Sequence, residues 1–210
     1  MPHYTFYTNP MSRGQIARWA LHEAGAEYAT VLVDWADKPV ALLAANPMGK
    51  VPVIIHHAEE GDRVVSECAA ICAYLAEMHP ERQLGPSDTE CADYLRWLFF
   101  AAGPLEQAVI SRFMGWEERD PQKQGMLGFG SFERTMDTLD GWLGAHDYVC
   151  GARFTMADVY VGSQVDWGLT FGTIPPREAF VAYAERLQAR PAYKAAKAID
   201  NELIGKTRGP

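Results

Sequence analysis

Near residues 79–87 the rhythm of this 210-residue sequence changes, and that change constrains the fold more than any other feature. Before it, apolar residues alternate between strand and helix spacing; after it they recur at helical spacing alone. Thr5-Phe6-Tyr7 reads as a strand, and Ile16, Ala17, Ala20, Leu21 and Ala24 then step as one face of a helix, with Gly25 as the stop. Thr30-Val31-Leu32-Val33 predicts a second strand and Pro39 to Ala45 a short helix. Pro52 heads an apolar strand, Val53-Ile54-Ile55, a position that suits a residue with no amide hydrogen. Val64-Val65 follows as a fourth strand, and a helix begins around Glu67. A βαβ unit, two more strands and a helix predict a small mixed sheet covered by helices over residues 1–78.

His79-Pro80-Glu81-Arg82-Gln83-Leu84-Gly85-Pro86-Ser87 carries proline and charge without a period, so residues 79–87 are read as a linker. Residues 88–210 then predict an all-α domain. Leu95, Leu98, Ala102, Leu105 and Val109 mark one helix, which Pro104 should kink. Phe132, Met136, Leu139 and Leu143 mark another, and Phe180, Tyr183, Ala184 and Leu187 a third. Pro191 fits the first turn of a last helix. Thr155-Met156-Ala157-Asp158 is a capping box in its acidic variant, with Phe154 and Val159 placed as a hydrophobic staple. That motif is a folding device.

Composition narrows the function. Hydrophobic residues make up 48% and charged residues 22%, which places the chain among ordinary soluble globular proteins. A net charge of −8 with no basic stripe argues against nucleic acid as a partner. No apolar run reaches membrane-spanning length, and Met1-Pro2-His3-Tyr4 lacks the basic and apolar regions of a signal peptide, so a cytoplasmic location is expected. Cys68, Cys72, Cys91 and Cys150 form no CxxC pair and are expected as buried thiols. Cys68 and Cys72 lie one turn apart, but no second pair of ligands accompanies them, and no metal is expected. His56 and His57, adjacent in a strand, point to opposite faces. Trp97, Phe99, Phe100, Phe113 and Trp116 are expected mostly in the core, with some lining an apolar pocket.

Two stretches carry chemistry. A polar turn, an X-Pro bond and a helix N-terminus close together offer backbone donors and acceptors of the kind an extended peptide with a carboxylate needs. The segment Tyr7-Thr8-Asn9-Pro10-Met11-Ser12-Arg13-Gly14-Gln15 adds two hydroxyls and a cation just before the first helix. Ser12-Arg13-Gly14-Gln15 also reads as a capping box, and Tyr7 as an ordinary strand aromatic.

Asn46-Pro47-Met48-Gly49-Lys50-Val51-Pro52, Glu67-Cys68-Ala69-Ala70-Ile71 and the Phe154-Thr155-Met156-Ala157-Asp158 box, in that order and spacing, resemble the cytosolic glutathione S-transferase family over essentially the whole chain. The resemblance implies a thioredoxin-like α/β N-terminal domain with Pro52 as its cis-proline, joined to an all-α C-terminal bundle. It implies glutathione as co-substrate, a small electrophile held by the helical domain, and a homodimer built around the helices after residues 66 and 88. Val51 would pair through its backbone with the cysteinyl part of glutathione. Glu67 and the amide of Cys68 would hold the γ-glutamyl end, with Lys38 and Lys50 as candidates for the glycyl carboxylate. Cys68 stands where the family usually has serine, and a thiol is the weaker donor.

The free thiol titrates at about 8.5, so an enzyme of this kind must favour the thiolate. Lowering that value by about two units asks for roughly 2.7 kcal/mol, within reach of one charge-assisted hydrogen bond and a helix end. Ser12 matches the serine of the family's serine-type members and is the first choice. Tyr7, where tyrosine-type members place their phenol, is the second, and Arg13 could stabilise the thiolate under either. Two rival readings stand beside the transferase: another glutathione-dependent enzyme of the same fold (isomerase, peroxidase or disulfide reductase), and a non-catalytic binding relative.

Overall fold

The computed structural model describes residues 3–207. The first unit is built on strands β1 (Tyr4–Thr8), β2 (Tyr28–Leu32), β3 (Val53–Ala58) and β4 (Gly61–Ser66), in the order β2-β1-β3-β4. β1 and β2 run parallel; β3 is antiparallel to both β1 and β4. Helix α1 (Gly14–Ala24) makes the crossover between the parallel pair, α2 (Val40–Ala45) precedes β3, and α3 (Cys68–Met78) follows β4. The mixed sheet is the one expected, although β2 starts two residues early and β3 and β4 extend through the polar hairpin. Gly25 ends α1 at φ 64°, the left-handed conformation that glycine adopts without a side-chain penalty.

Strand alternation divides the core. Tyr4, Phe6 and Thr8 face α1 and α3, and all three are buried. The Phe6 ring meets the Tyr28 ring edge-on, with the Arg18 guanidinium 5.2 Å from its centroid. Tyr7 points the other way, into an apolar cluster with Val33, Leu42 and Val53 beneath α2. His56 and His57 separate as expected: His56 stacks on Tyr4 and bonds Tyr74, whereas His57 bonds Asp62 and Thr5.

The last helix, α10 (Pro191–Thr207), belongs with this unit, which runs to Leu84 and resumes at Ala189. Proline stands at its first position, as anticipated, but the expected grouping of everything after residue 88 in one helical body differs from what is found. The reason lies in side chains on α1 that a one-dimensional pattern does not pair. Arg18, 1% exposed, bonds Asp200, 0% exposed, at 2.9 Å. Glu23 accepts from Arg190 Nε and Nη2, each at 2.7 Å, Trp19 meets Tyr193 edge-to-face, and Lys197 reaches Gln15.

The second unit, Gly85–Gln188, is all helical. It holds α4 (Cys91–Phe100), α5 (Glu106–Phe113), the short α6 (Pro121–Gln124), α7 (Phe132–Leu143), α8 (Met156–Phe171) and α9 (Glu178–Gln188). The boundary falls within the expected linker, which also carries a 3₁₀ turn at Pro80–Arg82. Pro104 sits in a five-residue π-helical segment, Ala101–Leu105, which joins α4 to α5. A widened turn of this kind accommodates the proline, whose ring and missing amide an α-helical turn cannot hold.

α8 is apolar around most of its circumference, as a central buried helix must be. Gly162 allows α9 to come close: a Cβ there would lie 2.1 Å from Leu187 Cδ1. The Thr155–Asp158 capping box is formed, with the Thr155 amide donating to Asp158 Oδ2 at 2.8 Å. Both members of the staple, Phe154 and Val159, are buried. The aromatic expectation needs correcting. Trp97 is buried, but Phe99 and Phe113 are both 71% exposed, lying off the helix faces that pack inward, and Trp116, beyond the end of α5, is 67% exposed. Cys91, at the first turn of α4, is likewise exposed, unlike the three other cysteines.

Candidate active site

Register brings the predicted residues to one edge of the sheet. Tyr7 is opposite Val53, and Val53 opposite Ser66, so the C-terminal end of β1, the start of β3 and the end of β4 share that edge. The chain leaves β1 into Asn9–Arg13 and α1, enters β3 through Val51-Pro52, and leaves β4 into Glu67 and α3. The Val51–Pro52 bond is cis, as expected. Two eleven-residue helices, α1 and α3, therefore begin at the same edge. Their first amides lack intrahelical acceptors and their dipoles present positive ends there, a setting that favours anions.

The two helix starts are tied together. Cys68 Sγ, buried, donates to the Arg13 carbonyl at 3.7 Å. The Cys68 thiol is thus turned toward the α1 N-cap, and desolvation pushes the neighbouring Cys72 thiol well up. Both behave as small core residues.

Glu67 is exposed and has φ 68° and ψ 122°. A non-glycine residue with positive φ carries backbone strain, of order 1–3 kcal/mol, and such strain gathers at binding and catalytic sites. Nothing in the sequence pattern around Glu67 signals it. The conformation aims the Glu67 side chain away from the core at the mouth of α3.

Ser12 is half-buried. Its hydroxyl donates to the Asn9 carbonyl at 2.6 Å and accepts from the Gly14 amide at 3.0 Å. The capping box expected with Gln15 does not form. α1 starts at Gly14, and the Gln15 amide group donates instead to the Pro10 carbonyl at 2.5 Å. Arg13 occupies the N-cap position, half-buried beside Ser12.

Asn46 and Asn9 are organising residues that the sequence reading left without a role. Buried Asn46 donates to the Lys50 carbonyl at 3.1 Å and accepts from the Met48 amide at 3.2 Å, clamping the turn that delivers Val51. Its place at the end of a helix before Pro47 and Gly49 was the available signal, since asparagine there forms side-chain turns. Gly49 completes the turn at φ 61°, and a Cβ on it would lie 3.2 Å from Lys38 Nζ, which puts the Lys38 ammonium against this turn. Lys50 is exposed. Asn9 donates to the Val33 carbonyl at 3.0 Å and accepts from the Met11 amide at 2.9 Å, fixing the Ser12 loop.

That end of the sheet therefore carries the turn into β3, two helix N-termini, an exposed carboxylate and two lysines. That set matches an extended molecule with both a carboxylate and an ammonium. Among the described residues no group of histidine, cysteine or acidic side chains has the arrangement to hold a metal ion, and no helix is long and apolar enough to cross a membrane.

Comparison with known proteins agrees with this architecture. The family model for the glutathione S-transferase N-terminal domain matches residues 11–78, and that for the C-terminal domain matches residues 104–191. Glutathione S-transferase GstA of Escherichia coli O157:H7 is 28% identical, over 81% of this chain and 86% of that protein. Glutathione S-transferase 1 of Schizosaccharomyces pombe is 30% identical, over 87% of this chain and 91% of that protein. A sphingomonad glutathione S-transferase solved in complex with glutathione superposes with a TM-score of 0.74 at 26% identity, covering 94% of this chain and 98% of that one. With its thioredoxin-like sheet, cis-proline and helical second unit, the chain belongs to the glutathione S-transferase family.

Proposed function

We propose that this enzyme binds glutathione at the end of the sheet where β3 begins, ionises its thiol and directs the thiolate onto a small apolar electrophile. The observation that most supports this reading is the meeting of the α1 and α3 N-termini beside cis-Pro52, joined through Cys68 and Arg13. Val51 supplies backbone pairing to the cysteinyl unit. Glu67 faces the γ-glutamyl ammonium, while the first amides of α3 face its α-carboxylate. Lys38 and Lys50 attract the glycyl carboxylate.

Ser12 is the activating hydroxyl in this proposal. It already accepts from Gly14, so its own proton is the one to offer, and turning it from the Asn9 carbonyl to the sulfur completes the contact. Tyr7 is less well placed, being packed among Val33, Leu42 and Val53. The start of α1 and Arg13 add positive potential. A homodimer through α3 and α4, in the cytoplasm, is part of the same reading; Leu95 and Phe99, one turn apart on α4, are 47% and 71% exposed and supply an apolar stripe for it.

The test is the ultraviolet absorbance of the bound thiolate as pH is varied. Ser12→Ala should raise the thiol pKa by about one to two units, the worth of one hydrogen bond to a charged group. Tyr7→Phe should leave it in place. A shift in Tyr7→Phe alone would reverse the assignment, and failure of the wild type to bind immobilised glutathione would remove the enzyme reading.

A further inference from the structure

Thr8, the last residue of β1, is fully buried, and its Oγ1 has no hydrogen-bond partner among the described residues. A buried hydroxyl left in that state is unfavourable, and most such groups in folded proteins are paired. Its surroundings are specific. A Cβ built on Gly14 would lie 1.9 Å from Thr8 Oγ1 and 3.1 Å from Ser12 Oγ, so the two hydroxyls flank one point at the first residue of α1. Glycine is required there: any side chain would occupy the space of the Thr8 hydroxyl. A glycine Cα–H directed at Oγ1 is at best a weak contact and leaves the hydroxyl proton unused.

We propose that Thr8 is a positioning residue for Ser12, supplying a hydrogen bond to the Ser12 hydroxyl when that hydroxyl turns from the Asn9 carbonyl to the glutathione sulfur. The inference rests on the assignment of Ser12 as activator. In the free protein the Ser12 proton is held by Asn9, at 2.6 Å. Donation to sulfur gives up that bond. An oxygen that accepts from a neighbour while it donates is a stronger donor, because linked hydrogen bonds polarise one another, and Thr8 is placed under the same helix turn to be that neighbour. No bond is made or broken in this step beyond the hydrogen bonds themselves. The proton of Thr8 stays on Thr8, and the proton of glutathione leaves to solvent.

The experiment is a double-mutant cycle on Thr8→Val and Ser12→Ala, with Thr8→Ser as the conservative variant and Thr8→Ala as a second deletion of the hydroxyl. The readouts are the thiol pKa of bound glutathione and the pH profile of kcat and KM. Thr8→Val should raise the thiol pKa by about half a unit to one unit, lowering kcat about 3- to 10-fold below that pKa and converging with wild type at high pH. KM for glutathione should stay within about twofold, because Thr8 does not touch the ligand in this proposal. Thr8→Ser should restore the wild-type profile, and Thr8→Val should have no further effect in the Ser12→Ala background. A Thr8→Val protein with an unshifted thiol pKa, or one whose effect adds fully to that of Ser12→Ala, overturns the inference while leaving Ser12 as activator. If Ser12→Ala itself leaves the thiol pKa where wild type has it, the activator assignment fails and this inference with it.

Discussion

Replacing Asp158 by alanine should destabilise the helical unit far more than the loss of a helix cap. A cap alone is worth about 1 kcal/mol. Asp158 does more: besides the Thr155 amide and hydroxyl, its carboxylate accepts from the Val149 amide and the Tyr183 hydroxyl, both at 2.8 Å. It is 0% exposed, so removing it strands the Val149 amide, the Thr155 amide and the Tyr183 hydroxyl in the interior. At about 1–3 kcal/mol for each of the three unsatisfied buried donors, Asp158→Ala should lose at least about 3 kcal/mol and up to roughly 9. Urea unfolding followed by tryptophan fluorescence measures it, since Trp97, Trp116, Trp142 and Trp167 all lie in this unit. Tyr183→Phe should be strongly coupled to the change, costing clearly less in the Asp158→Ala background than in wild type. Acidity supplies a second signature. Burial pushes the Asp158 carboxyl from 3.8 up to about 6, against the pull of its four donors. Its folded value lies above its unfolded one, so its contribution to stability is full below pH 3.8 and is lost as pH rises through about 6. Asp158→Asn cannot titrate and should therefore gain on wild type across that window. A loss of only about 1 kcal/mol in Asp158→Ala, additive with Tyr183→Phe, would refute the hub and leave a simple cap.

Two further outcomes follow from the first unit. Glu67→Gly should relieve the positive-φ strain and raise thermal stability by about 1 kcal/mol while weakening glutathione binding, whereas Glu67→Ala should weaken binding without the gain in stability; calorimetry on both variants separates the two effects. Asp200→Ala leaves the Arg18 guanidinium buried without its carboxylate and should destabilise by about 3–5 kcal/mol, seen as faster amide exchange along α10 and α1.

Much of the fold was readable along the chain because its signals are local. Gly25 needs left-handed backbone, Pro52 can only head its strand, and Thr155 and Asp158 cap a helix within one turn of each other. The motifs around Pro52 and Glu67 placed the candidate site for the same reason. What failed to show were features that depend on residues far apart. The Arg18–Asp200 pair joins positions 182 residues apart and carries α10 to the first unit. Phe99 and Phe113 are hydrophobic by composition and exposed by helix orientation, and Trp116 is exposed beyond the end of α5. Ser12 sits in a capping-box pattern, but the loop held by Asn9 makes Arg13 the N-cap, one residue later, and sends the Gln15 side chain to Pro10.

The sequence by itself determined the kinds of elements, their order and the family to which they belong, since periodicity, caps and turn residues act over a few positions. Only the tertiary structure decided which groups meet. It brought Tyr7 away from the loop side and into an apolar cluster, joined the starts of α1 and α3 through Cys68 and Arg13, and set Thr8 beside Ser12 under Gly14. The physical reason is that hydrogen bonding and close packing act over a few ångströms in space, and strand register and helix approach set those distances, whatever the separation along the chain.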